Sequence, residues 1–200
     1  MSGAAVITGA ARRIGRVLAV QAARSGYDVA VHHRDSADEA EETAALVRAE
    51  GRAACVLAGD LAARDAGALI GRAEAALGPV TLLVNNASLF IDDRLQTFDV
   101  ETLDAHMAIN LRAPALLAQA LAPRIRVNAI GPGPTLGSVH QAPGEFEQEA
   151  AGTPLGHSVS PDEIAAALRY LIDAPSVTGQ MIAVDSGQHL GWLTPDIIHP

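Results

Sequence analysis

The sequence contains no lysine: all 14 of its basic residues are arginine. Any mechanism that requires a side-chain amine is thereby excluded. Cysteine is reduced to Cys55, alone in a strand-like run, which rules out a disulfide framework and a paired-thiol metal site. A reducing, cytoplasmic setting is expected, with Cys55 filling core. No apolar run approaches the length of a membrane span, and the opening "MSGAAVITG" lacks the charged leader and cleavage pattern of a signal peptide, so no membrane partner is expected. Cations are outnumbered, giving a net charge of −9, and a nucleic-acid partner is excluded because such binding rests on clustered positive charge. Small anionic ligands stay open through local sites. There is no G-x-S-x-G elbow, no H-E-x-x-H and no G-K-[ST] after a glycine loop. The acidic pair at 92–93 reads as a solvated turn.

What the chain does have is 200 residues at 49% apolar content, enough for one substantial core, so 1–200 reads as a single domain. Apolar runs at 4–8, 28–33, 53–58, 80–86, 125–130 and 180–185 read as six strands, each apolar on both alternating faces. Between them, 13–26, 36–50, 64–77, 100–121 and 161–173 carry helical apolar spacing, punctuated by Gly26, Gly51 and Gly78. Strand followed by helix, repeated, predicts an α/β fold: a doubly wound parallel sheet of about six strands with helices on both faces. The Gly- and Pro-rich stretch 131–160 reads as a long loop rimming a substrate.

In "VITGAARRIGRVLA", Thr8 and Gly9 follow the first strand directly and Gly15 lies one turn into the next helix. Glycine lets backbone approach a pyrophosphate, and the helix N-terminus supplies N–H groups and partial positive charge, so this turn predicts a phosphate cradle. The chain here resembles the short-chain dehydrogenases/reductases, whose turn reads T-G-x-x-x-G-x-G. Arg13 replaces the middle glycine, which brings "TGAARRIG" nearest the pteridine-reductase-like branch. Further matches are "GDL" (59–61), "NNAS" (85–88), "INLRAP" (109–114), "RVNAIGPG" (126–133) and "TGQMIAVDSGQHL" (178–190).

The resemblance implies a Rossmann-like fold and a dinucleotide held by Thr8, Gly9, Arg12, Arg13, Ile14 and Gly15 at the phosphates. It adds Asp60 and Leu61 at the adenine, Asn86, Ala87 and Ser88 along the cofactor, and Pro132 and Gly133 after a late strand. About twenty residues past a glycine turn, an acid selects the ribose diol of NAD and a cation accommodates the extra phosphate of NADP. Arg34 and Ser36 in "HHRDS" favour NADP (NADPH) over NAD, with His33 beside the phosphate and Asp35 interposed. His32 and His33 are not expected to hold a metal, because adjacent strand residues face opposite ways.

The activity implied is hydride transfer between NADP(H) and a carbonyl or imine of a small molecule, pterin-like by the branch, in a homo-oligomer. Family members use a serine and a Y-x-x-x-K motif, the cation lowering a phenol whose unperturbed pKa is about 10. Neither partner is present. Tyr27 and Tyr170 read as packing residues with no lysine four positions on, and Asn110 alone matches the family's catalytic set. In "PALLAQALAPRIRVNAIGPG" (114–133) the helix after strand four runs into what matches the end of the next helix and strand six. A strand–helix unit on the order of 30 residues or more is omitted. Residues 125–130 are then expected to pair directly beside 81–86. The alternative function is a catalytically impaired NADP-binding relative, or an internally shortened chain of the family.

Overall fold

The computed structural model describes residues 3–91, 96–121, 125–138 and 141–191, so the acidic pair at 92–93 and the two residues of the join at 123–124 lie outside the described residues. The chain divides into two compact units, Met1–Ile125 and Arg126–Pro200.

The first unit is built on a parallel sheet of β1 (Ala4–Ile7), β2 (Asp28–His33), β3 (Ala54–Ala58) and β4 (Val80–Val84), in the order β3-β2-β1-β4. Every residue of β1 is buried, because helices cover both faces. Ala4, Val6 and Ala30 join a core with Leu69, Ile70 and Ala73 of α3 (Ala68–Leu77) and Ala113 and Leu117 of α5 (Ala113–Ala120). On the alternate side, α1 (Arg13–Arg24) and α2 (Ala37–Ala49) bury Leu18, Ala19, Ala22 and Ala40, Ala44, Val47, an i, i+3/i+4 spacing that gives each helix one apolar stripe. This is the Rossmann-like α/β arrangement that the strand–helix alternation predicts.

The stretch 100–121 is not one regular helix: α4 (Val100–Met107), capped by Asp99 accepting from the Thr102 N–H, passes into a π-helical turn at Ala108–Arg112 before α5. The second unit holds β5 (Ala129–Pro132), α6 (Glu145–Ala151), α7 (Pro161–Asp173) and β6 (Met181–Val184). Within the expected loop 131–160, α6 is a helix the Gly/Pro content concealed.

Among the described residues, 125–130 does not form the expected ladder with 81–86: β5 starts later, at Ala129, and takes its parallel ladder from β6, while the ladder of β4 is with β1. The physical reason lies in residues 126–128, which are tied down outside any ladder. Arg126 donates to the Leu171, Ala174 and Val177 carbonyls, the Gly179 N–H donates to Val127 O, and Asn128 bridges Val177 and Gln180.

Candidate nucleotide-binding site

The strand order places a reversal between β1 and β4, since β2 and β3 lie on one side of β1 and β4 on the other. Ligands of open α/β sheets bind outside the carboxyl ends of the strands at such a point. A cleft of about 470 Å³ opens there, lined by the Gly9–Gly15 turn, the His32–Ser36 segment at the end of β2, Gly59–Leu61 after β3 and Asn86–Leu89 after β4.

The turn is held from four directions. Thr8, buried, donates its hydroxyl to Val84 O at 3.3 Å and accepts the Asn86 and Ala87 N–H groups at 2.9 and 3.0 Å, which uses the full capacity of the oxygen. Asn86 returns its side-chain amide to Thr8 O and Gly9 O at 2.9 and 3.1 Å. His32, 2% exposed, accepts the Gly9 N–H on Nδ1 at 3.2 Å, so its proton sits on Nε2 and is donated to Gly59 O at 3.1 Å. From α1, Arg16 reaches Ala11 O at 2.9 Å and Thr43 Oγ1 at 3.0 Å, and Thr43 itself donates to Ala11 O. Sequence reasoning missed His32, Arg16 and Thr43 as positioning residues. The available signal was slight: a polar residue at an apolar helix position, Thr43, and a histidine on a buried strand.

Two glycines are required by geometry. Gly9 has φ +62°, and a Cβ on Gly15 would lie 2.3 Å from Gly9 O and 2.6 Å from Asn86 Nδ2. With Gly15 bare, the first turn of α1 can bring backbone N–H groups against a diphosphate. Arg13, standing where the family pattern has glycine, adopts φ +54°, a left-handed conformation that glycine would take without strain. The cleft thus carries three guanidinium groups, Arg12, Arg13 and Arg34, and two carboxylates, Asp35 and Asp60. Asp60 Oδ1 accepts the Ala62 N–H at 2.8 Å, Arg34 Nε is paired with Asp35 Oδ2 at 2.6 Å, and Ser36 caps the start of α2 by position.

His33 is 6% exposed and its Nδ1 is buried with no hydrogen-bond partner. Burial chiefly, with His33 and Arg72 nearby, holds the His32 pKa below its ordinary value despite the Gly59 bond.

Of the residues expected at a cofactor, all those from Gly9 to Ser88 line the cleft, whereas Thr8 lies behind it as a brace. Pro132 and Gly133 belong to the second unit, at the end of β5, where the Gly133 N–H donates to Val184 O and a Cβ would meet Asp185 Cα at 2.6 Å. Asn110 sits in the π-helical turn with both ends of its amide on Leu89 backbone, Oδ1 accepting from N–H and Nδ2 donating to O, each at 2.9 Å. It fixes the loop after β4. Tyr27 is half-buried before β2, at the strand end away from the cleft; Tyr170, on α7, is 54% exposed and is therefore not the packing residue expected.

The "short chain dehydrogenase" family model matches residues 3–126. The chain belongs to this family. An "Enoyl-(Acyl carrier protein) reductase" model of the same kind matches residues 115–189. The 3-oxoacyl-[acyl-carrier-protein] reductase FabG of Staphylococcus epidermidis is 32% identical over 126 residues, covering 62% of this chain and 52% of that protein. The chain spans about half the length of the first curated relatives it matches. An uncharacterized oxidoreductase of Mycobacterium tuberculosis is 29% identical over 239 aligned positions, covering 92% of this chain and 90% of the relative. Among solved structures, FolM alternative dihydrofolate reductase 1 of Brucella suis in complex with NADP is 37% identical with a TM-score of 0.89, covering 97% of this chain and 98% of that one. No helix among the described residues is long and apolar enough to cross a membrane.

Proposed function

We propose that this chain binds NADP(H) in the cleft after β1, β2 and β4. It does so as the cofactor-holding frame of a cytoplasmic short-chain oxidoreductase acting on a carbonyl or imine of a small molecule. The observation that carries the cofactor reading is the Gly9–Gly15 turn, with Gly9 at φ +62° and Gly15 too close to Gly9 O for a Cβ, in a cleft that also presents Arg12, Arg13, Arg34 and Ser36. When bound, the nicotinamide supplies the hydride. The turn at Gly9–Gly15 takes the diphosphate, Asp60 and Leu61 face the adenine, and Arg34, Ser36 and His33 face the ribose phosphate. A pterin-like substrate is supported by the likeness to the FolM enzyme, with 131–160 as its rim. A homo-oligomer is supported by the exposed stripe Val100, Leu103, Met107 and Leu111 on α4 and the turn that follows.

A second reading, binding without turnover, is favoured by the missing proton relay. The chain has no lysine, Tyr27 lies away from the cleft, and Asn110 is committed to backbone. Support for an omitted unit comes from the join. The two family models overlap across 115–126, a unit boundary falls at Ile125, and the Mycobacterium alignment runs to more positions than this chain has residues. Titrating NADPH and then assaying its oxidation with dihydropterin substrates tests both readings. Binding with turnover supports the first, binding alone the second, and no binding refutes both.

A further inference from the structure

The wall of the cleft after β4 is tied down at two points. At one end the Asn86 side chain is bonded to Thr8 O and Gly9 O. At the other, the segment 89–91, which belongs to no strand or helix, is fastened by side chains of α4 and the π-helical turn that follows it. Asn110 takes the N–H and the carbonyl of Leu89, and His106 Nε2 accepts the Ile91 N–H at 3.0 Å. His106 and Asn110 are four residues apart, so they stand as neighbours on one side of the helix and meet alternate residues of the segment. Ser88 and Leu89, which line the cleft, hang between the two ties. Resting on the cofactor reading above, we propose that His106 is a positioning residue for the cleft, setting cofactor affinity by keeping this wall docked on the helix.

The two Asn110 bonds end on a single residue, and a segment fastened at one residue can still pivot about it. The His106 bond, two residues further on, removes that freedom. Its acceptor role requires Nε2 without a proton, so the neutral ring carries its hydrogen on Nδ1. His106 is half-buried on a helix that buries none of its residues, so what it contributes is the place of the wall and not core packing. Losing one partly exposed hydrogen bond weakens docking by about two- to fivefold. Apparent affinity scales with the fraction of molecules whose site is in its binding-competent arrangement, so Kd rises by up to that factor. The phosphate turn keeps its own braces, Thr8, His32 and Asn86, throughout.

The test compares wild type, His106→Leu and His106→Gln in the 200-residue protein. Glutamine places an acceptor oxygen where Nε2 lies, and leucine places none. Amide hydrogen exchange followed by NMR reads docking without any cofactor, and titration with NADPH reads affinity. In His106→Leu the Ile91 and Leu89 amides should both exchange about two- to fivefold faster, and the Kd for NADPH should rise by up to about fivefold. His106→Gln should restore both. The Leu89 amide discriminates most, since its own partner, Asn110, is unaltered in either variant. Unchanged exchange at Leu89, an unchanged Kd, or a glutamine variant no better than leucine overturns the proposal while leaving the NADP site standing. Failure of wild type to bind NADPH overturns the cofactor reading and this role with it.

Discussion

Acidification should unfold this protein partly through one ring. The His32 imidazole is 2% exposed and serves as acceptor for the Gly9 N–H and donor to Gly59 O, a pairing open only to the neutral Nε2–H form. Protonation would set a second N–H against that of Gly9. Burial first, and then His33 and Arg72, hold the pKa below the ordinary 6.5. Above about pH 6.5 the ring is neutral in both folded and unfolded chains, and the full stability is present. As pH falls below that value the unfolded chain takes up a proton that the folded chain refuses. Folding then weakens by at most about 1.4 kcal/mol per pH unit for this group, until the lowered folded pKa is reached.

The perturbation is His32→Leu, which removes the titration and strands the Gly9 N–H and Gly59 carbonyl. Both glycines are half-exposed, so water recovers part of the loss, and a cost of about 1–3 kcal/mol at pH 7.5 is expected. Urea unfolding followed by circular dichroism at pH 7.5, 6.5 and 5.5 measures both effects. The gap between wild type and variant should narrow as pH falls from 6.5 to 5.5. A gap that stays constant or widens would refute the assignment of His32 as the neutral clamp.

Gly15→Ala places a methyl 2.3 Å from Gly9 O and 2.6 Å from Asn86 Nδ2, so thermal unfolding should show a loss of about 1–3 kcal/mol and NADPH binding should fall below detection; retained affinity would contradict the close approach. Arg13→Gly relieves a left-handed φ worth about 1–2 kcal/mol, less about 0.4–1 kcal/mol of added unfolded-chain entropy. A small rise in Tm with weaker NADPH binding is expected, and a fall in Tm would show that Arg13 contacts outweigh the strain. Arg34→Ala should narrow or invert the preference for NADPH over NADH in parallel titrations, and an unchanged ratio would remove Arg34 from the phosphate. On the second reading, binding without turnover, protein verified at 20.6 kDa shows no hydride transfer to pterin, quinone or ketone substrates, since the missing acid–base step contributes about 10²–10⁴-fold. Robust NADPH-dependent turnover would require a proton donor other than a lysine-activated tyrosine.

Strand existence was legible wherever β-branched runs are buried on both faces, as at Val29–Val31, because parallel sheets impose that composition. Strand ends were not. The run 80–86 stops at Val84 because Asn86 leaves the ladder to bond Thr8 and Gly9, and the run 125–130 shifts to Ala129–Pro132 because Arg126 and Asn128 are spent on the 171–180 segment. Gly131 and Pro132 read as the start of the loop 131–160, yet β5 includes them. Asp60, Leu61 and the 86–88 segment were named from the resemblance to the family, whereas the glycine cradle could be named from spacing, since its role lies in backbone conformation near it in sequence. Arg16 and Thr43 could not, because what they do is to converge on Ala11 O from two helices, and no local pattern records that meeting. The break at Ala108–Arg112 was equally hidden, for its apolar spacing continues through it.

The bracing of the phosphate turn also has a consequence for the order of events during synthesis. Gly9 and Gly15 leave the ribosome early, but their shape depends on His32, Thr43 and finally Asn86, which arrive later. At about 5–20 residues per second, the nascent chain spends on the order of several seconds with the glycines made and the amide that clamps them not yet emerged. Through that interval no nucleotide can rescue or nucleate the fold. On the proposed cofactor reading, nucleotide capture is a late event, available only to a chain whose fourth strand is already in place.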